Sequence, residues 1–220
     1  MPRPASRAAD DRADVTKPTD SRPSLRTEQR ALTRNRVIDA GVELFTSRPV
    51  VDVTVEDIAR AAGVTRPTVY AHFPRMSDII DAVFDELHES ADDLYIELAG
   101  LDWTPDNVHG WLDRFAVRQQ LNRPRVKLVN IPGLGTHQKR YIEAHRRYVE
   151  HLALGPRWDG VDPAEAEQRA LMAILLIESF FNTLVAADWS LRTDDPTDLL
   201  AESVLAILRP AVVVDPTVNG

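Results

Sequence analysis

The chain has 220 residues, 44% of them apolar and 27% charged, which is the composition of a soluble globular protein of one large domain or of one small and one medium domain. It contains no cysteine, and this excludes a disulfide framework and thiolate metal sites. The net charge of −8 argues against a nucleic-acid partner until its distribution is read: residues 1–76 hold 13 Lys and Arg against 10 Asp and Glu, whereas residues 77–220 hold 13 against 24.

Residues 1–26 carry Pro2, Pro4, Pro18 and Pro23 and no helical apolar period, so a disordered arm is expected there. Six basic side chains (Arg3, Arg7, Arg12, Lys17, Arg22, Arg26) lie in it. Such an arm is either a plain flexible tail or a strand of charge able to enter a minor groove. The opening Met1-Pro-Arg-Pro-Ala does not lead into an apolar run and does not read as a secretory signal. The longest apolar stretch, around residues 171–177, is far short of the roughly 20 residues of a bilayer span. The expectation is a cytoplasmic protein without a membrane partner.

A first helix is expected over about 27–46, where Val37, Ile38, Gly41, Leu44 and Phe45 share one face. Pro49 closes that region. Thr54 then offers an N-cap with Asp57 three residues on, an acidic capping box. Val55, Ile58, Ala59 and Ala62 form the stripe of a second helix, and Gly63 can take the left-handed conformation that ends it. Thr65 can cap a third, short helix, with Pro67 tolerated in its first turn and an end near Phe73-Pro74. Two short helices around a glycine turn make a helix-turn-helix. With Val64 and Val69 turned inward, Thr65, Arg66, Pro67, Thr68, Tyr70 and His72 are free to face outward.

Long helices follow, over about 77–98, 105–121, 137–153, 163–189 and 197–208. Between 122 and 136 the chain is read as broken by Pro124, Pro132, Gly133 and Gly135, and 155–160 is read as a loop. No alternating strand pattern occurs. The expected class is all-α, about nine helices. Residues 27–76 would form a DNA-binding domain, and residues 77–220 a larger helical domain for ligand binding and dimerisation.

The run Thr54-Val-Glu-Asp-Ile-Ala-Arg-Ala-Ala-Gly-Val-Thr-Arg-Pro-Thr-Val-Tyr-Ala-His-Phe73, preceded by a helix ending Leu44-Phe45, resembles the DNA-binding signature of the TetR family of transcriptional regulators. The resemblance covers about residues 30–85. It implies a regulator, commonly a repressor, that binds a pseudo-palindromic double-stranded DNA operator as a homodimer and is released by a small molecule. Carried onto this chain, it implies that Thr65 and Thr68 bond phosphate or a base edge, that Arg66 contacts guanine, and that Pro67 meets a thymine methyl. Tyr70 and His72 would bond phosphates and set the register, and Thr54 would touch the backbone. The family commonly has Ser-Lys where this chain has Arg75-Met76, so Arg75 stands in for the phosphate-binding lysine. It also often has glycine where Pro49 closes the first helix.

The stretch 170–189 is apolar nearly all round, with Leu171, Ile174, Leu175, Phe180, Phe181 and Leu184. Together with Leu199, Leu200, Val204, Leu205 and Leu208 it is either core within one chain or, as the resemblance implies, a four-helix dimer interface. An effector cavity between the middle helices draws its candidates from Trp103, Trp111, Phe115, Tyr141, His145, Tyr148, Phe180 and Phe181. Glu178 and Asn182, four residues apart on the apolar helix, give it a polar face. They could instead bond other side chains or a second subunit. The mixed aromatics point to a small apolar or aromatic effector.

Enzymatic and metal chemistry find no support. His88-Glu89 begins a zincin pattern, but Asp92 stands where the second histidine belongs. Asp81, Asp85, Glu89, Asp92 and Asp93 read as a solvated acidic face. Gly133-Leu-Gly135 lacks the rest of a phosphate loop, and no nucleophile elbow occurs. No cofactor is expected. Three readings remain open: a ligand-controlled regulator, a DNA binder without an effector, and an enzyme on a helical scaffold.

Overall fold

The computed structural model describes residues 24–131, 138–186, 189, 191 and 195–209. Among these the chain is all-α, with nine α-helices and no strand. The helices are α1 (Leu25–Ser47), α2 (Val55–Ala62), α3 (Arg66–His72), α4 (Ser77–Gly100), α5 (Pro105–Leu121), α6 (Arg123–Val129), α7 (Gln138–Leu152), α8 (Pro163–Ala186) and α9 (Asp198–Leu208). Short 3₁₀ turns lie at Val50–Asp52 and Pro156–Trp158.

Capping decides several boundaries. α1 begins at Leu25, two residues before the expected start, because the Ser24 hydroxyl accepts the Thr27 N–H at 3.3 Å. The expected arm therefore falls on residues 1–23, outside the described residues. α2 carries the reciprocal capping box. Thr54 Oγ1 accepts the Asp57 N–H and the Asp57 carboxylate accepts the Thr54 N–H, both at 3.2 Å. Gly63 ends α2 at φ 62°, and the Val64 N–H returns to the Ala59 carbonyl at 2.9 Å. Arg36 of α1 donates to the Ala62 carbonyl at this turn, and a Cβ on Gly63 would lie 2.7 Å from its Nη2.

One expectation is corrected. Residues 122–136 are not broken throughout, because Arg123–Val129 form α6. Pro124 sits in its first turn, where the missing N–H has no intrahelical partner to lose. Pro132, Gly133 and Gly135 lie outside the described residues. The long helix expected to reach 189 is described as far as Ala186; residues 187 and 188 lie outside the described residues, and Trp189 is not helical.

Two apolar cores form. One gathers α1, α2, α3 and the first half of α4 around Val37, Ile38, Phe45, Ile58, Val69 and Ile79. The other gathers the second half of α4 with α5, α7, α8 and α9 around Tyr95, Trp111, Phe115, Tyr148, Ile174 and Val204. α4 belongs to both. So does the space around α6, whose Leu128 is buried in the first core while α6 also packs on α5 and α8.

Among the described residues, α8 is the one helix long and apolar enough to cross a membrane by length and composition. Its buried face packs on α5, α6, α7 and α9. A half-buried Glu178 lies on the same helix, paired across to α7. The helix thus serves as a core element of this fold.

Candidate nucleic-acid interface and cavity

α3 projects from the first core with one side buried. Val69 is 1% exposed and anchors the helix. Thr65, Arg66, Pro67 and Tyr70 are exposed on the other side, Thr68 and His72 are half-buried, and Thr54 is exposed at the start of α2. The structure therefore leaves the expected reading residues exposed or half-buried around the buried Val69. A helix lying in a major groove needs small or polar groups on its outer face and an anchored inner face, which this surface provides.

The cations of this surface are held by neighbouring acids. The Arg66 guanidinium pairs with Glu56 of α2 at 2.6 Å, lies 5.4 Å from the centre of the Tyr70 ring and reaches the Tyr70 hydroxyl at 3.3 Å. The Tyr70 bond, ahead of the Glu56 charge, holds Arg66 above its ordinary pKa. Arg75 Nη2 and Nε both donate to Asp78 Oδ1, at 2.8 and 3.0 Å. Arg48 and Arg60 share Asp57 at 2.6 and 3.2 Å. His72 is pushed below its ordinary pKa by burial first and by Arg30 and Arg34 beside it. Thr65 Oγ1 caps α3 by accepting the Thr68 N–H at 3.3 Å and lies 2.8 Å from the Thr68 hydroxyl.

The second feature is a small cavity of about 100 Å³ between α4, α5, α6, α7 and α8, open to solvent on one side. Phe115, Tyr141, Glu178 and Asn182 line it, as the sequence led one to expect. Trp111, Tyr148 and Phe181 lie behind the wall instead, each at most 2% exposed. Trp111 donates to the Leu94 carbonyl at 2.8 Å and Tyr148 stacks on Tyr95 with centroids 4.5 Å apart. His145 is also behind the wall and orients Glu178. Its Nε2 lies 2.7 Å from the Glu178 carboxylate and its Nδ1 donates to the Tyr141 carbonyl at 2.7 Å. Trp103 and Phe180 do not line the cavity.

Sequence reasoning missed Phe84, Leu87, His88, Arg118, Gln119, Val126, Val129 and Asn130 in this wall. Two of them, Val126 and Val129, are on α6, and Asn130 follows it, in a stretch the sequence reads as broken chain. His88 had been set aside with the acidic face of α4. In the structure its Nδ1 meets the Tyr148 hydroxyl at 2.8 Å, and that hydroxyl donates to the His88 carbonyl at 3.1 Å. The single phenolic proton serves the carbonyl, so Nδ1–H is the donor and Nε2 is left as an acceptor. Burial, more than any nearby charge, pushes His88 down to about 4. Among the described residues no cluster of His, Asp and Glu has the arrangement of a metal site.

The family model for bacterial regulatory proteins of the tetR family matches residues 37–83, which contain the whole helix-turn-helix. The uncharacterized HTH-type transcriptional regulator TtgW of Pseudomonas putida is 40% identical over 132 residues, covering 54% of this chain and 91% of that protein. The HTH-type transcriptional regulator SrpR of Pseudomonas putida is 40% identical over the same length, but the match spans only 57% of SrpR. The crystal structure of NalD, the secondary repressor of the MexAB-OprM multidrug efflux pump in Pseudomonas aeruginosa, superposes with a TM-score of 0.59 at 22% identity, over 82% of this chain and 95% of that one. At that identity the likeness to NalD speaks for the fold. The family-model match and the likeness to TtgW establish that the chain belongs to the TetR family and is a DNA-binding transcriptional regulator, not an enzyme, and its all-α fold agrees.

Proposed function

We propose that this chain is a cytoplasmic repressor that binds a pseudo-palindromic operator as a homodimer and is released by a small molecule in the α4–α8 cavity. The observation that carries the reading is the outer face of α3, where Thr65, Arg66, Pro67 and Tyr70 stand exposed over the buried Val69. Thr68 and His72 flank them, with Thr54 and Arg75 at the ends of the motif. One such helix reads few base pairs, and two-fold assembly doubles the site. A surface for that assembly exists on α8 and α9, where Leu171, Met172, Leu175 and Leu199 are exposed apolar side chains. The four expose between 38% and 72% of their area, which is unfavourable in water unless a second copy covers them.

Release would run through α4 and α6. Phe84 belongs to the first core and lines the cavity, and Leu128 of α6 is buried in that core while Val126, Val129 and Asn130 face the cavity. A ligand that favours one placement of these helices shifts the population of head spacings that fit two successive major grooves. The test is fluorescence anisotropy of the full-length protein on a duplex from the region upstream of its own gene. Salt-dependent, sequence-specific binding is expected, weakened and made less specific in Arg66→Ala and Tyr70→Ala. Normal binding by both variants would sink the docking assigned to α3.

A further inference from the structure

The charges around the cavity do not balance. Glu178 is already neutralised by His145, whose two ring nitrogens face a carboxylate and a carbonyl and so both carry protons. His88 is neutral, with Nδ1 engaged by Tyr148. Arg140 and Arg147, on the outer side of α7, pair with Asp85 and Asp92. Arg118 of α5 is different. Its Nε donates to Ser90 Oγ at 2.8 Å and one Nη donates to the Leu87 carbonyl. No carboxylate among the described residues lies within ion-pair distance of it, and it lines the cavity half-buried. Burial pushes its pKa down, as expected of a guanidinium taken from water without a counter-charge.

Beside it stands Gln119, 6% exposed and facing the same cavity. Its amide has no hydrogen-bond partner among the described residues. The amide opens onto the cavity, and beside a guanidinium without a counter-charge it offers a ligand further N–H donors at the same point. Asn182 on α8 also lines the cavity with its amide unengaged. The apolar part of the wall is formed by Phe84, Leu87, Phe115, Val126 and Val129.

We infer that the cavity binds a monoanionic amphiphile, a carboxylate on an apolar body, with the carboxylate on Arg118 and Gln119 and the body against Phe84, Leu87, Phe115 and Val126. A planar carboxylate accepts two parallel N–H bonds from a guanidinium, a geometry that a neutral amide or alcohol cannot reproduce. A cationic ligand is disfavoured, because the one acid in the wall is taken by His145. The inference rests on reading the cavity as the effector site, and it narrows the expected apolar or aromatic effector to its acidic members.

The test uses full-length protein in isothermal titration calorimetry. The probes are straight-chain carboxylates of six to twelve carbons and 4-alkylbenzoates, each beside its neutral primary amide and its primary amine. At least one acid is expected to bind, and to bind at least about tenfold tighter than its amide. Arg118→Met should abolish that preference while leaving amide binding in place, and Arg118→Lys should keep most of it. Gln119→Leu, which leaves the charge untouched, should weaken the acid and not the amide. Amides or amines binding as tightly as the acids would overturn the anionic class while leaving an effector cavity standing. Silence from every compound would overturn both, and an acid preference that survives in Arg118→Met would overturn the role of Arg118.

Discussion

His145 of α7 and Glu178 of α8 meet at 2.7 Å, with side chains 6% and 14% exposed, and the same imidazole donates its other proton to the Tyr141 carbonyl. Burial works against a charged ring here, but the Glu178 bond and charge and the Tyr141 carbonyl outweigh it, and the pKa of His145 is raised. Some 6 Å away His88 is shifted the opposite way. Two neighbouring histidines therefore titrate on opposite sides of the ordinary value.

The pH dependence of stability follows from these signs. His145 binds its proton more tightly when folded. Its contribution is present below the ordinary pKa of about 6.5 and is lost as pH rises through the folded value. His88 binds its proton more weakly when folded, so stability falls as pH drops from 6.5 toward about 4. The second effect amounts to at most about 3 kcal/mol. Urea midpoints measured from about pH 4 to about pH 9 should show His88→Gln flattening the acid limb and His145→Gln flattening the alkaline limb. His145→Gln should also cost roughly 3 kcal/mol near pH 6, by leaving Glu178 without its cation. Parallel profiles for both variants would refute the assignment.

The pairing of Arg66 with Glu56 makes a prediction about DNA. Glu56 competes with the operator for the guanidinium and places negative charge near phosphates. Glu56→Gln should tighten operator binding and steepen its salt dependence by about one unit of log–log slope. Arg66→Ala should weaken it by about 1–3 kcal/mol and relax the preference at one base pair in each half-site. Anisotropy titrations at several salt concentrations read both, and a Glu56→Gln protein that binds more weakly would place Arg66 away from the bases.

Tyr95 makes a prediction about stability. It is fully buried in the stack of Tyr148, Trp111 and Phe115, and its hydroxyl is the one buried side-chain polar atom without a hydrogen-bond partner among the described residues. Tyr95→Phe keeps the ring and removes the unsatisfied group. A gain of roughly 1 kcal/mol in chemical denaturation is expected. A loss of similar size would mean that the hydroxyl has a partner in solution.

The exposed apolar residues of α8 and α9 predict the assembly state. Leu175→Arg places a charge in the centre of the proposed interface without touching the core. Light scattering should show a dimer for the parent and a monomer for the variant, with helical circular dichroism unchanged and operator affinity greatly reduced. A variant that stays dimeric would move the interface elsewhere.

The reading head was legible because its signals are local. The Thr54–Asp57 box, the Gly63 turn and the buried Val69 each lie within a few residues of the structure they specify. Half of the cavity was legible for the same reason, since Glu178 and Asn182 are one turn apart on a helix otherwise apolar. The other half depends on tertiary placement. Arg118 and Gln119 look like ordinary polar residues on α5 until α4 and α6 are laid over them. α6 itself was hidden because Pro124 breaks a helix in its interior but opens one in its first turn. The neutralisation of Arg75 by Asp78 and of Arg66 by Glu56 likewise shows only in the folded arrangement.

α6 spans only about 10 Å, at 1.5 Å per residue. Leu128 on one flank is sealed among the head residues, and Val126, Val129 and Asn130 on the other are the cavity wall. So short a rod has no length over which to flex. Whatever presses on one flank is delivered to the other as displacement, in the manner of a cam. If α6 couples the two sites as proposed, DNA binding and ligand binding should each survive damage to that rod, while their coupling should not. Leu128→Ala should yield a protein deaf to its ligand, gripping operator and small molecule at once.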